Sequence, residues 1–188
     1  MKTKFNVLPS DKRIYSGHVL LVKRHFRDID YDVVISRNSA FLLYIDENDE
    51  VYFAHQFRPA VQEKILALPA EMLDKPGLSP LEVILEGLIE EAGIKINKSQ
   101  IKKVAEIYSA EGYSTEKAYL FIARGKGKHV GQHLEATEKI DVVKMSFDEA
   151  YKLVATNQIK CPKSAYLIMN EYIRRQKIIN FKKFSNKK

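Results

Sequence analysis

The chain has 188 residues, 45% of them hydrophobic and 29% charged, with a formal net charge of +7. That length builds one well-buried domain with a small appendage, and the composition excludes a disordered or fibrous chain. No apolar run approaches a membrane span, nothing resembles a secretory signal, and the lone Cys161 excludes an internal disulfide or a cysteine metal cluster.

The expected setting is therefore cytoplasmic, with Cys161 a buried or inert thiol. The positive charge gathers at one end. Arg174, Arg175, Lys177, Lys182, Lys183, Lys187 and Lys188 occur there without an acid, and the rest balances at 24 basic against 24 acidic residues. A short basic tail is more often solvated than a binding arm, so neither nucleic acid nor membrane is an expected partner.

Residues 1–37 form a front piece in which Ile14–Lys23 and Asp32–Ser36 read as strands, joined by the charged stretch Arg24–Asp30. Two or three strands alone bury no stable core, so this piece packs on the main domain or on a second subunit. Ser39–Ile45 and Val51–Phe57 then flank Asp46-Glu47-Asn48-Asp49-Glu50, a hairpin signal. The second strand runs into His55-Gln56-Phe57-Arg58-Pro59, and Ile65–Leu68 leads on to a turn at Asp74–Gly77.

The stretch from Pro80 to Ala92 reads as a helix with marked ends. Ser79 is an N-cap, Pro80 suits the first helical position, Glu82 completes an S-x-x-E capping box, and Gly93 supplies a left-handed stop. Leu81, Ile84, Leu85, Leu88 and Ala92 follow the spacing of one buried face. The polar face stacks Glu82, Glu86 and Glu90 at i, i+4 and i+8, with Glu91 beside them and no Lys or Arg within the helix. Each like-charged i,i+4 pair costs roughly 0.2–0.5 kcal/mol. Glu90 and Glu91 also sit at the negative end of the helix dipole, at about 0.3–1 kcal/mol each. A solvated acidic face accounts for one such residue; the cluster points to a divalent-cation site, since Mg²⁺ needs hard oxygens on a rigid support.

Beyond the helix, Ile101–Tyr108 and Ala118–Ala123 read as strands joined by the loop Ser109–Glu116. Gly125–Gln132 is basic and glycine-rich but lacks phosphate-loop spacing, so it is expected to be a flexible loop that can offer Lys126 or Lys128 to a phosphate. Val142–Met145 reads as a strand. Ser146 and Glu149 form a second capping box, opening a helix to Ala155 that Asn157-Gln158 breaks. A final helix runs from Pro162 to about Ile179, with Ala165, Ile168, Met169, Tyr172 and Ile173 as its core stripe.

Leu88-Ile89-Glu90-Glu91-Ala92-Gly93-Ile94 resembles the end of the Nudix box, G-x5-E-x7-R-E-U-x-E-E-x-G-U with U aliphatic. Leu68-Pro69-Ala70 resembles the LPAG lead-in of the ADP-ribose pyrophosphatase branch. The front of the box departs from the pattern. The glycine after LPA is Glu71, the Arg-Glu pair is Glu86-Gly87, and the first box glutamate falls near Leu78 with one extra residue of spacing. Gly87 removes a carboxylate that is a metal ligand in the family, and Glu71 or Glu86 is the expected replacement.

The resemblance covers roughly residues 39–172 and implies an α/β fold, a Nudix-type α/β/α sandwich with mixed sheet, plus the N-terminal strand piece. It implies three segments: 1–37 packing or dimer-forming, 38–180 catalytic, and 181–188 a basic flexible tail. The implied reaction is metal-dependent hydrolysis of a nucleoside diphosphate derivative such as ADP-ribose, with Mg²⁺ or Mn²⁺ on Ala70, Glu71, Glu86, Glu90 and Glu91. His55-Gln56-Phe57-Arg58-Pro59 resembles the branch's Q-Y-R-P element, which places Arg58 near substrate; a surface ion pair is the plainer role. The loop Ser109–Glu116 resembles S-P-G-F-S-x-E, with Gly112, Tyr113 and Glu116 matching. Tyr113 either stacks on a base or ribose or is a core-edge aromatic. Glu138, with Glu135 as alternate, matches the acidic loop whose glutamate activates water, and Glu90 and Glu91 complete the catalytic set. The branch also implies a homodimer. The rival reading is a Nudix fold that binds a nucleotide sugar without cleaving it; a third is a partner protein acting through its tail.

Overall fold

A computed structural model describes residues 7–134 and 138–185, with side chains as far as Ile178. Three strands open the chain, β1 (Lys12–Ser16), β2 (Leu20–Phe26) and β3 (Ile29–Ile35), in an antiparallel sheet of that order. The stretch expected as one strand is two, because the chain reverses where the Gly17 amide bonds to the Val19 carbonyl at 2.9 Å. Leu20, Val22 and Ile35 are fully covered, with Val7 and Val33 against them, so this sheet has a small core of its own.

The main sheet runs β12 (Ile140–Ser146), β5 (Glu50–Arg58), β4 (Ser39–Ile45), β10 (Lys117–Arg124), β9 (Ile101–Tyr108). Among the described strands of this sheet, only β10 and β4 pair parallel. In β4 the side chains alternate between two cores, as a period of two requires. Phe41, Leu43 and Ile45 face the helices α2 (Phe147–Ala155) and α3 (Pro162–Ser185), joining Phe53, Leu120, Phe147, Leu167 and Ile168. Ala40, Leu42 and Tyr44 face α1 (Pro80–Ala92), joining Ile84, Leu88 and Ala92. Both faces are buried, which is why β4 reads as a continuous apolar run. The layers are those of the expected α/β/α sandwich.

The sheet splays where the site will form. β4 and β5 pair only at their hairpin end, Ile45 opposite Val51. Below it β6 (Glu63–Ala67) pairs with β5 and β7 (Ala70–Met72) with β4, so residues 63–72 fill the opening. The Leu42 amide donates to the Pro69 carbonyl at 3.0 Å, and the Leu68 amide to the buried Ser164 hydroxyl at 3.0 Å.

Both capping boxes form as expected, at Ser79 with Glu82 and at Ser146 with Glu149, and Gly93 adopts φ 68°. The glycine-rich loop is not loose. Its residues Lys128–His129 (β11) pair with Ile94–Lys95 (β8), and Gly125 accepts a hydrogen bond from the Tyr44 hydroxyl at 2.9 Å. A Cβ on Gly127 would come within 2.6 Å of Tyr44 and Ile94, so glycine serves close packing there.

The final helix runs to Ser185, beyond the expected end, and its buried stripe differs from the apolar one. Met169 and Ile173 are exposed, while Ser164 and Glu171 are buried beside Leu167 and Ile168. Glu171 takes a core position because Arg124, Arg174 and Arg175 surround its carboxylate. Among the described residues, no helix is long and apolar enough to cross a membrane.

Candidate active site

The splay between β4 and β5 leaves a cleft of about 330 Å³ whose lining includes Arg37, Gln56, Arg58, Ala70, Glu71, Glu91, Glu116 and Glu138. Glu91 is central to it. Although charged, it lies on the buried side of α1 at 6% exposure, and its Oε2 accepts a hydrogen bond from the Ala70 amide at 3.0 Å. The two stretches that look most like a motif, Leu68-Pro69-Ala70 and the end of α1, therefore meet at one carboxylate.

Burial pushes the Glu91 carboxyl up to about 8; the Ala70 amide and Arg58 oppose the rise, while Glu71 and Glu138 add to it. Burial also pushes Glu71 up to about 7, with Glu90 as the next cause and Lys75 opposing. Acids held this close without a buried cation resist ionisation, because each charge is desolvated and repelled by the next. Hard oxygen donors crowded into a partly dry cleft fit a divalent cation, whose charge reverses that penalty. Among the described residues, no group of three His, Cys, Asp or Glu side chains is already arranged to hold a metal.

The rest of the acidic face is accounted for differently. Lys75, from the turn before the helix, contacts Glu86 at 2.8 Å and Glu90 at 3.1 Å, and Lys98, beyond it, contacts Glu82 at 3.2 Å. The helix carries no cation of its own, but its neighbours supply two. Glu86 and Glu90 are thus both turned to Lys75 and neither lines the cleft, though Glu90 is close enough to raise Glu71.

Gly87 lies fully within α1 and is buried. A glycine inside a helix costs about 1 kcal/mol relative to alanine. Here the space is needed, because a Cβ at 87 would lie 2.1 Å from the Glu71 Cγ.

The remaining expected residues divide between two neighbouring clefts. Arg58 and Glu116 line the first, where the Glu116 carboxylate accepts from the Ser39 hydroxyl at 2.6 Å and faces Lys163 at 3.6 Å. Gly112 and Tyr113 line a second cleft of about 650 Å³ with Arg24, Tyr108 and Lys117. Tyr113 is 60% exposed there, while its carbonyl accepts from the Val34 amide at 2.7 Å and so ties the loop to β3. Glu138 lines the first cleft, and nearby Gln132 donates to the carbonyls of Glu91 and Ile140 at 2.7 and 3.2 Å. Glu135 lies outside the described residues. Gln56, the first residue of the Gln56-Phe57-Arg58-Pro59 match, lines the cleft too, as does Arg37, which belongs to no recognised pattern and is marked only by its place just before β4.

No family model matches the chain. A GDP-mannose pyrophosphatase of Cronobacter sakazakii is 32% identical over 162 residues, 81% of this chain and 81% of that protein. The chain belongs to the Nudix hydrolases, in their ADP-ribose pyrophosphatase-like branch. Another Nudix relative, a GDP-mannose pyrophosphatase of an Enterobacter species, is 30% identical over 81% of this chain and 80% of its own length. The ADP-ribose pyrophosphatase of Bacillus subtilis is 24% identical over 84% of this chain and 87% of its own. A crystal structure of an ADP compounds hydrolase superposes with a TM-score of 0.71 at 15% identity, covering 90% of this Nudix chain and 95% of that one. The expected fold class is therefore established.

Proposed function

We propose that this chain hydrolyses the pyrophosphate bond of a nucleoside diphosphate sugar, ADP-ribose or a relative of GDP-mannose, with Mg²⁺ or Mn²⁺ as cofactor. The observation that carries the reading is Glu91, a buried carboxylate fixed by the Ala70 amide in the lining of a cleft that also holds Arg58 and Glu138. Glu91, Glu90 and the Ala70 carbonyl are the proposed ligands, joined by one carboxylate from outside the helix end. The cation, when bound, polarises the pyrophosphate and offsets its charge.

The side chains divide the remaining work. The guanidinium of Arg58 fits paired phosphate oxygens, and Arg37, also in the lining, offers a second. Glu138 takes the proton of a water that adds to one phosphorus. The bond from that phosphorus to the bridging oxygen breaks with its electron pair, leaving a nucleoside monophosphate and a sugar phosphate. Gly112 and Tyr113 border the space for the base or ribose, with Glu116 anchoring their loop. Residues 38–180 form the catalytic unit in this reading.

Purified protein with Mg²⁺ and a panel of ADP-ribose, GDP-mannose, other sugar nucleotides and dinucleoside polyphosphates tests the assignment. Release of both monophosphates from a sugar nucleotide, stopped by chelation, is the expected result. The alternative, a module that binds without cleaving, is favoured by Gly87 in the place of a ligand; tight binding with no monophosphate release would select it.

The N-terminal sheet is proposed to join two copies. Phe26 and its cross-strand partner Ile29 expose 59% and 57% of their surface, and Tyr31, two residues further along β3, exposes 45%. Apolar residues clustered this way on a three-stranded sheet mark an association surface. Sedimentation of wild type as a dimer, and of Phe26→Asp with Ile29→Asp as a monomer, is the expected result; a monomeric wild type excludes it.

A further inference from the structure

We infer that the carboxylate absent from helix position 87 has moved to position 71, so that Glu71 is the missing cation ligand and Glu71 and Gly87 form one reciprocal exchange. The inference rests on the cation-dependent reading above and names the residue that completes its donor set.

Three observations carry it. The two positions depart from the pattern together, glycine standing where glutamate is expected and glutamate where glycine is expected. They also compete for one volume. An ideal Cβ on Gly87 would lie 2.1 Å from the Glu71 Cγ and 3.0 Å from its Cδ, with Oε1 at 2.9 Å. The overlap falls on Cγ and not only on the carboxylate, so turning the carboxylate alone does not relieve it. Finally, β7 holds the backbone of Glu71 against β4, with Glu71 opposite Ala40, and its side chain enters the same cleft as Glu91.

Gly87 has no conformational reason to be glycine, since it sits in regular helix and not in the left-handed region. Its role is to leave the room that Glu71 fills. Glu86, the other carboxylate available for the ligand role, faces Lys75 at 2.8 Å and lies outside the cleft; Glu90 shares that Lys75 contact at 3.1 Å but also acts on Glu71, as Glu86 does not. A side chain descending from α1 and one rising from β7 thus deliver their carboxylates to one place, and only one of them fits.

Wild type, Glu71→Gly, Gly87→Glu and the double exchange, titrated with Mn²⁺ without substrate and followed by the paramagnetic resonance of free Mn²⁺, test this. Glu71→Gly is expected to bind Mn²⁺ at least ~10-fold more weakly. Gly87→Glu alone is expected to melt lower and to bind more weakly. The double exchange is expected to regain affinity and melting temperature to within about threefold and a few degrees of wild type. Glu71→Gln, which keeps the volume, is expected to lose affinity without a loss of melting temperature, and it decides the matter if the exchange variants fail to fold. Unchanged Mn²⁺ affinity in Glu71→Gln, a double exchange no better than Glu71→Gly, or a wild type that takes up no Mn²⁺ overturns the inference. Intact Mn²⁺ uptake with no turnover of any sugar nucleotide would defeat the hydrolase reading while leaving the exchange standing.

Discussion

Glu91→Gln is expected to lower kcat by about 10²- to 10⁴-fold while leaving the fold intact, because it removes a charge and almost no volume. The amide oxygen of Gln can still accept from the Ala70 amide, so the 3.0 Å bond that fixes the end of α1 against β7 is retained. Nothing replaces the negative charge that a cation needs. Without metal the substitution removes a buried acid whose ionisation is opposed by its surroundings. The metal-free variant is therefore expected to melt at or above the wild-type temperature. Melting curves with and without Mg²⁺ separate the two effects: wild type gains stability from the cation and Glu91→Gln does not. Equal Mg²⁺ shifts in both, with kcat within a few-fold of wild type, would remove Glu91 from the donor set and the cleft from consideration as a hydrolytic site.

The residues behind that expectation were only partly legible in the chain. The ends of α1 could be read to the residue, since Ser79, Glu82 and Gly93 act through local hydrogen bonds and one backbone angle. Local rules could not show that Glu91 turns inward while Glu86 turns to Lys75. That depends on where β7 lies, and β7 is placed by the splay of β4 from β5, a property of the whole sheet. The counter-charges Lys75 and Lys98 escaped notice because they lie outside the helix they neutralise. Strands β8 and β11 have two residues each, too few to show a period. The reversal at Gly17 was hidden because both strands beside it carry β-branched and aromatic residues, so the pair looked like one longer run.

Glu171 was invisible for another reason: a buried glutamate breaks the apolar stripe by which a helix face is recognised. Glu171→Gln is expected to destabilise the protein by about 3 kcal/mol or more, as removing one partner from a buried ion pair does. Its carboxylate, 1% exposed, takes bonds from the Arg174 side chain at 2.6 and 2.7 Å, from Arg175 at 2.9 Å, and from Arg124. Burial alone would raise this carboxyl, but the three guanidiniums outweigh it and hold it at about 2. The carboxyl is depressed on folding, so its contribution is present above the unfolded value of 4.5 and is lost as pH falls toward 2. The gap between wild type and Glu171→Gln in urea denaturation should therefore be full at pH 7 and close as the acid limit is approached. Arg124 and Arg174 are 36% and 45% exposed, so water screens part of the attraction and the lower end of the range is expected. The clamp ties α3 to β10 on the face of the sheet opposite α1, and Glu171 does not line the first cleft. Turnover measured well below the melting temperature should consequently remain within a few-fold of wild type. A variant that kept wild-type stability at pH 7 would mean that the three guanidiniums find water or Asp49 as readily as the carboxylate, and that Leu167, Ile168 and the Ser164 hydroxyl suffice to hold α3.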